Sequence, residues 1–286
     1  GGVARVAMSL SRKVVPPHVA EPFILSGYRP IMESRESLLL ATTSGLFGSH
    51  NQIANVWSHL LGLAWALMRL VHTLSSGGLH ALARYSVVAF HCSAVFVLTA
   101  SAVAHCFGPI LPLTPSKRLW LIDHSAIIVA IGGSYVPGLV YGFRCRPVSR
   151  AVYAVSVSLA LLTSIGLTFA APTVAVGPAG QRSSADRWRI RVLVGTAAFG
   201  LVPLGHWLSC CATRVDIGVL LPGLLAMFVC YGCGLFFFLS KLPERFVPGR
   251  VEKFGSHFIW HMFIVAALWS WDVSCEQLLG HSWECT

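Results

Sequence analysis

The stretch FGSHFIWHMFIVAALWSWDVS, residues 254–274, is long and apolar enough to cross a membrane, and it carries two histidines near its start. A spanning helix needs about 20 predominantly apolar residues. His257 and His261 are four residues apart, so on a helix both imidazoles project from one face. Ionisable side chains within a membrane segment are costly and by default indicate a functional site. The pair therefore predicts half of a metal site on a transmembrane helix.

The rest of the chain has the same apolar character. Of its 286 residues, 55% are hydrophobic and only 11% are charged, whereas soluble domains carry roughly 25% charged residues. Apolar blocks recur at membrane length and are joined mostly by short connections, so we predict an all-α membrane protein, a bundle of seven transmembrane helices. The predicted blocks are residues 54–74, 83–107, 119–142, 149–170, 190–212, 216–240 and 254–274.

The distribution of lysine and arginine predicts the orientation of this bundle. Of the 21 basic residues, 15 fall in the N-terminal region and the second, fourth and sixth loops, and 6 fall in the other loops. By the positive-inside rule, residues 1–53 form a cytoplasmic N-terminal region with interfacial motifs, residues 54–274 form the seven-helix domain, and residues 275–286 form an exterior C-terminal tail. The net charge of +10 lies in loops between membrane segments, so we expect a lipid bilayer and no nucleic acid as partner.

This orientation places polar side chains from three blocks at one depth. The second block ends inside with His105, and Ser101 lies one turn deeper on the same face; the third block begins inside with Asp123. At about 1.5 Å rise per residue, His105, Asp123, His257 and His261 fall within about 10 Å of the cytoplasmic edge. Three helices thus bring three imidazoles, a carboxylate and a hydroxyl to one leaflet.

Three neutral imidazoles with one open position are typical of a catalytic-type zinc site, in which water takes the fourth place. We predict Zn²⁺ as cofactor with His105, His257 and His261 as its ligands. Asp123 is predicted to hydrogen-bond or deprotonate the water, and Ser101 to orient the water or a ligand histidine. Iron and copper also accept imidazole, but no redox partner is evident in the sequence.

The other histidines and the cysteines receive structural interpretations. His59 is interpreted as a packing or interface residue, and His124 points about 100° away from Asp123 on a helix, so the carboxylate is preferred at the metal. Cys275 and Cys285 flank the C-terminal tail in an oxidising location, where a disulfide between them is predicted as one possibility. Histidines interpreted as helix–helix hydrogen-bonders or interfacial residues are His72, His91 and His206.

Five motifs occur in order along residues 21–270. They are EPFILSGYRP (21–30), HNQIANVWSHLLG (50–62), Ser101-x-x-x-His105, Asp123 with Gly133-Ser134, and LPERFVPG (242–249) leading into SHFIWH (256–261). Together they resemble the progestin and adipoQ receptor (PAQR) family, which includes adiponectin receptors, membrane progestin receptors and microbial haemolysin-III relatives. Some motifs resemble the progestin-receptor branch and others the adiponectin-receptor branch, so the resemblance leaves the ligand open.

The resemblance implies an intramembrane zinc site in which the third-helix aspartate lies close to the zinc-bound water. One departure is Gln52, since many relatives carry an acid before the first helix, and this weakens any role assigned to that position. The family roles transfer unaltered to Ser101, His105, Asp123, His257 and His261.

Two functions of different class remain open. The first is a seven-helix receptor that binds a lipid, steroid or protein hormone ligand, with zinc cross-linking the helices; the resemblance favours it. The alternative is an intramembrane zinc-dependent amide hydrolase, ceramidase-like, that releases a fatty acid. In that case zinc lowers the pKa of its water toward about 7 and Asp123 is the general base. A structural membrane protein with a vestigial zinc is a third, less favoured reading.

Overall fold

The computed structural model describes residues 9–32, 38–77, 80–170 and 184–280. Within these ranges the chain is helical and contains no strand; one isolated antiparallel bridge joins Leu10 to Tyr28. A short 3₁₀ turn, Gly108–Ile110, follows α3. The nine α-helices of the described ranges are α1 (Leu38–Phe47), α2 (Ile53–Ser75), α3 (Ala81–Phe107), α4 (Leu113–Gly142), α5 (Pro147–Ala170), α6 (Ser184–Ala198), α7 (Leu201–Cys210), α8 (Arg214–Ser240) and α9 (Ser256–Leu279).

Six segments of the described chain are long and apolar enough to cross a membrane, so the prediction of an integral multi-pass membrane protein is confirmed. One of them is built from α6 and α7, which are interrupted near Gly200. The hydroxyl of Tyr135 donates to the carbonyl of Thr196 at this interruption, at 2.8 Å. A Cβ at Gly200 would lie 3.0 Å from that hydroxyl, so glycine permits the close approach. The six spans are Ala81–Ile110, Leu113–Gly142, Pro147–Ala170, Asp186–Cys210, Arg214–Ser240 and Ser256–Leu279.

Helix α2 is the predicted span that does not join these six. It has 23 residues, but polar and charged side chains lower its hydropathy. Asn55 and His59 are buried against neighbouring helices, at 4% and 3% exposure. By composition, therefore, α2 is not among the six spans, and the seventh span stays a prediction.

Several predicted helix ends differ from the observed ones. Helix α4 begins at Leu113, six residues before the predicted start, and α9 continues to Leu279, five residues beyond the predicted end. Near this end α9 carries Asp272 and, one turn further on within the extension, Glu276, and both bind Arg69 of α2. Because these carboxylates are paired, the polar end of α9 stays helical inside the bundle.

Arg69, Asp272 and His91 form a buried network that joins α2, α9 and α3. Asp272 is 3% exposed; its Oδ2 accepts from Arg69 Nε at 2.7 Å, and its Oδ1 lies 2.6 Å from His91 Nε2. Thr73 Oγ1 lies 3.4 Å from the other ring nitrogen of His91. The interpretation of His91 as a helix–helix hydrogen-bonder agrees with this geometry.

Helix α9 has the central place in the bundle. It packs most extensively on α8 and also contacts α2, α3 and α4. The contact with α8 is close, because a Cβ at Gly223 would lie 2.7 Å from the carbonyl oxygen of Ser270. Small residues at such positions let membrane helices approach each other, since packing rather than water drives their association.

The cysteines correct one prediction. Cys275 is buried in α9 and has a free thiol, so the disulfide predicted as a possibility between Cys275 and Cys285 is wrong; Cys285 itself lies outside the described residues. Cys145, in the connection between α4 and α5, is disulfide-bonded. The sequence offered nine cysteines and no spacing that marked Cys145.

Candidate metal centre

Three histidines from two helices meet at one end of the bundle. His105 lies in the last turn of α3, and His257 and His261 lie in the first two turns of α9. One ligating atom from each lies within 4.8 Å of the other two, so the group is able to hold a metal ion. His105 and His261 are buried, at 1% and 2% exposure. The structure therefore brings together the three predicted metal ligands.

The spacing of the ring nitrogens suits a tetrahedral ion. Nitrogens bound at about 2.1 Å to a tetrahedral zinc ion lie about 3.4 Å apart. Nε2 of His105 and Nε2 of His257 are separated by 3.2 Å. Neutral imidazole nitrogens are ligands that zinc accepts, so the residues present fit the predicted ion.

In His105 and His261, the ring nitrogen Nδ1 lies close to an oxygen atom of α2 or of the residue before it. Nδ1 of His105 lies 2.6 Å from Oε1 of Gln52. Nδ1 of His261 lies 3.3 Å from the carbonyl oxygen of Asn55 and 3.2 Å from Oγ of Ser58. A ligating histidine commonly donates its other N–H to an oxygen, which fixes the tautomer and the ring orientation. In both rings the proton is therefore inferred on Nδ1, and Nε2 is the atom left for a metal.

The ends of the two ligand-bearing helices are capped by side chains from distant parts of the chain. Glu244 is 3% exposed and accepts from the backbone N–H of Ser256 at 2.7 Å and from its hydroxyl, at the N-terminus of α9. Arg29 donates to the carbonyls of His105 and Cys106 at the C-terminus of α3. Each charge opposes the partial charge of its helix end. Burial lowers the pKa of Arg29 to about 10. This value is still above 7, so the guanidinium is charged at neutral pH.

Ser101 and Asp123 lie on α3 and α4, and Asp123 does not belong to the group formed by His105, His257 and His261. Both side chains are buried, and the Ser101 hydroxyl lies near the Asp123 carboxyl. Ser101 is one turn before His105. His124 lies close to the carbonyl of Trp120 in its own helix, with Nδ1 2.9 Å from that oxygen, and it does not belong to the metal-binding group. The role of Asp123 and Ser101 at a metal-bound water stays a prediction.

His59 packs against the site, in agreement with its interpretation as a packing residue. Its ring stacks on that of His261, with centroids 3.8 Å apart and planes 11° apart. It is 3% exposed, and neither ring nitrogen has a hydrogen-bond partner among the described residues. The stacking on His261 depends on how α2 packs on α9, which spacing within α2 does not specify.

A cavity of about 230 Å³ adjoins the triad. His105 and His257 form part of its wall, and the N-terminal segment, residues 18–22, forms another part. Burial raises the pKa of Glu21 in this wall above its ordinary value, and the charge of Lys241 partly offsets that effect. The cavity beside the histidine triad thus includes polar side chains, such as Glu21 and Gln52, on the side where the N-terminal segment lies.

A second cavity, of about 90 Å³, lies between α4, the α6–α7 pair, α8 and α9. Its wall is mostly apolar and includes Leu139, Met227 and Trp271. Ser134 and Tyr231 supply polar groups at the wall. An apolar cavity with few polar groups is the usual form of a small-molecule site.

A multi-pass helical membrane protein with a buried histidine triad at one end is the class that this fold and site define. The chain belongs to the haemolysin-III related family, the family of progestin and adipoQ receptors, whose model matches residues 47–271. The resemblance carried by the five motifs is therefore confirmed.

Curated relatives share moderate identity over most of the chain. It is 28% identical to "Progestin and adipoQ receptor family member 3" of Mus musculus, over 92% of this chain and 84% of that protein. It is 28% identical to "Heptahelical transmembrane protein 1" of Arabidopsis thaliana, over 85% and 72%. It is also 28% identical to "Adiponectin receptor protein" of Drosophila melanogaster, over 86% and 53%. Family membership supports a membrane receptor of this type.

Proposed function

We propose that this protein is a PAQR-type seven-transmembrane receptor that contains zinc and binds a lipid, steroid or adiponectin-like ligand. The observation that carries the proposal is the buried triad of His105, His257 and His261, which fits a zinc ion and joins α3 to α9. The receptor names of several relatives support the class. The apolar wall of the cavity beside Trp271 is of the kind that contacts the hydrocarbon part of a ligand.

The proposal is tested by measuring the metal and the bound hydrophobic molecules in purified protein. Elemental analysis is expected to give one zinc ion per chain, and mass spectrometry of the same sample is expected to find a co-purified lipid or steroid. Protein that folds, and that contains neither stoichiometric metal nor any bound hydrophobic molecule, contradicts the proposal.

The proposal includes α2 as the seventh span. Its 23 residues reach about 35 Å, which is enough to cross the hydrocarbon core. Its charged residue Arg69 is paired with Asp272 inside the bundle. Seven spans place the termini on opposite sides, and the basic residues favour a cytoplasmic N-terminus. The disulfide at Cys145 supports this orientation, because the α4–α5 connection lies at the end opposite the triad and disulfides persist in oxidising compartments.

The orientation predicts which terminus antibodies reach. An epitope tag after Thr286 is expected to be labelled on intact cells, because the C-terminus is exterior. A tag before Gly1 is expected to be labelled only after permeabilisation, and permeabilised cells serve as the control for both tags. The reverse pattern would move the metal centre to the other leaflet, and labelling of both tags on intact cells would mean an even number of spans.

The donor set also suits metal-dependent amide hydrolysis. A bound zinc ion would supply a Lewis acid and a water of lowered pKa, and Asp123, a buried carboxylate of α4, is the proposed base. This alternative rests on the donor set alone, since the relatives named above are called receptors or heptahelical proteins. One substitution distinguishes the hydrolase from the receptor experimentally.

Asp123→Asn is that substitution. Asparagine keeps the size and one acceptor but takes up no proton, so zinc content is expected to match wild type. For the receptor, wild type is expected to release no fatty acid from a long-chain ceramide in nanodiscs. If wild type shows metal-dependent release and Asp123→Asn lowers it about 100-fold or more, as expected for loss of a general base, the protein is a hydrolase. Equal release by both proteins would mean that Asp123 is not the base.

A further inference from the structure

We propose that Gln52 is a positioning residue of the metal centre, whose side-chain oxygen holds His105 in the tautomer that presents Nε2 to the ion. The inference rests on the proposed zinc function and deepens it. Gln52 directly precedes α2 and is 4% exposed. Its Oε1 lies 2.6 Å from Nδ1 of His105, a short distance for this kind of hydrogen bond.

The neighbours of Gln52 fix the orientation of its amide. Asn55 Nδ2 donates to Oε1 of Gln52 at 2.8 Å, and Gln52 Nε2 donates to Oε1 of Glu21. An amide NH₂ group donates and does not accept, so the atom facing Asn55 is the oxygen. The same oxygen faces His105, which must then carry its proton on Nδ1. Two separate contacts therefore determine which nitrogen of His105 is free.

The backbone of Gln52 is held as well. Its N–H donates to Nδ1 of His50 at 3.2 Å, and Nε2 of His50 lies 3.1 Å from the carbonyl oxygen of Gly45, to which it donates. Burial, together with the nearby charge of Arg29, lowers the pKa of His50 to about 4. The imidazole is thus neutral at pH 7 and has the lone pair that the Gln52 N–H requires.

The contact between Glu21 and Gln52 links the N-terminal segment to the metal ligand. Glu21 belongs to the part of the chain before α1, and this part is tied to the α8–α9 connection, because Glu252 accepts from the backbone N–H groups of Leu25 and Ser26 at 3.1 and 3.2 Å. The chain of contacts runs from Glu21 through Gln52 to His105. A residue outside the bundle thereby helps to set the geometry of a ligand within it.

The experiment compares zinc affinity by chelator competition in four purified proteins. Gln52→Leu keeps the approximate size and removes the acceptor, so zinc is expected to bind about 10- to 100-fold more weakly, the range for loss of a ligand-orienting contact. The double variant Glu21→Gln/Gln52→Glu exchanges amide and carboxylate and keeps an oxygen facing His105. It is expected to bind zinc within about 3-fold of wild type. Thr73→Val, a buried polar residue at the far end of α2, is the control and is expected to match wild type.

A second readout is the absorption spectrum of the Co²⁺-substituted proteins, which reports ligand geometry. The bands of Gln52→Leu are expected to shift, and those of the double variant and of Thr73→Val to stay as in wild type. Wild type without stoichiometric zinc would overturn the proposed function itself. Wild type with zinc and Gln52→Leu of equal affinity would overturn only the role of Gln52. The role of Gln52 would also be overturned if the double variant bound zinc as weakly as Gln52→Leu, or if Thr73→Val lost as much zinc affinity. Either result would mean that the substitutions weaken zinc binding by general destabilisation.

Discussion

His257→Ala is expected to release the metal ion and to lower the midpoint of thermal unfolding in detergent. The ion is proposed to link α3 to α9, and the substitution removes one of its three protein ligands. Structural zinc contributes about 10–16 kcal/mol in small zinc-dependent peptides, so even a fraction of that value is a large part of the stability of one domain. Elemental analysis and thermal unfolding of wild type and variant measure the two effects.

The matched control is His72→Ala. His72 is a histidine of α2 that is exposed and lies outside the triad, so this variant is expected to keep its metal and its unfolding midpoint. Retention of stoichiometric metal by His257→Ala, or an equal loss of stability in His72→Ala, would contradict the assignment of the triad as the ligand set.

Asp272→Ala is expected to destabilise the bundle at the end opposite the triad. The carboxylate is shared by Arg69 and His91, so its removal leaves the fully buried imidazole of His91 without its partner and the partly exposed Arg69 with one ion pair fewer. Removing one partner of a buried ion pair costs about 3–5 kcal/mol. The thiol of Cys275 is buried in the same helix and free, so the rate at which a thiol reagent labels it, as temperature rises, reports the opening of this region.

Glu276→Gln is the control for Asp272→Ala. Glu276 also pairs with Arg69, at 3.1 Å, but its side chain is 52% exposed, and exposed pairs contribute about 0–1 kcal/mol. The shift in unfolding midpoint is therefore expected to be small. An Asp272→Ala variant no less stable than Glu276→Gln would show that the buried network contributes little.

The sequence was sufficient to predict the features that depend on spacing within a helix and on depth in the membrane. The four-residue separation of His257 and His261 fixed their common face, and counting basic residues placed His105 at their level, where the structure brings all three together. The apolar blocks located the long helices to within a few residues at most ends. Six of the seven predicted spans are apolar enough to be recognised by composition. The seventh, α2, is not, because it carries polar side chains such as Asn55 and His59, which are buried.

Sequence could not predict contacts that depend on how helices are rotated about their axes. Gln52 reaches His105 across 53 positions of the chain, and His91 reaches Asp272 across 181. No periodicity within one helix specifies such pairs. The stacking of His59 on His261 and the cap of Glu244 on α9 belong to the same kind. Each requires the packing of whole elements before the partner can be identified.

The way α8 is attached has a consequence for how the protein can change shape. Its first turn is tied to α4, because Asp216 accepts from the Tyr141 hydroxyl at 2.8 Å and pairs with Arg144 at 3.0 Å. Beyond that turn, among the described helices, α8 rests chiefly on α9. The N-terminal turn of α8 is thus fixed at Asp216. Its C-terminal end leads through Lys241 to Glu244. A displacement of the C-terminal end of α8 would therefore move Glu244, which accepts hydrogen bonds from Ser256, the residue before His257.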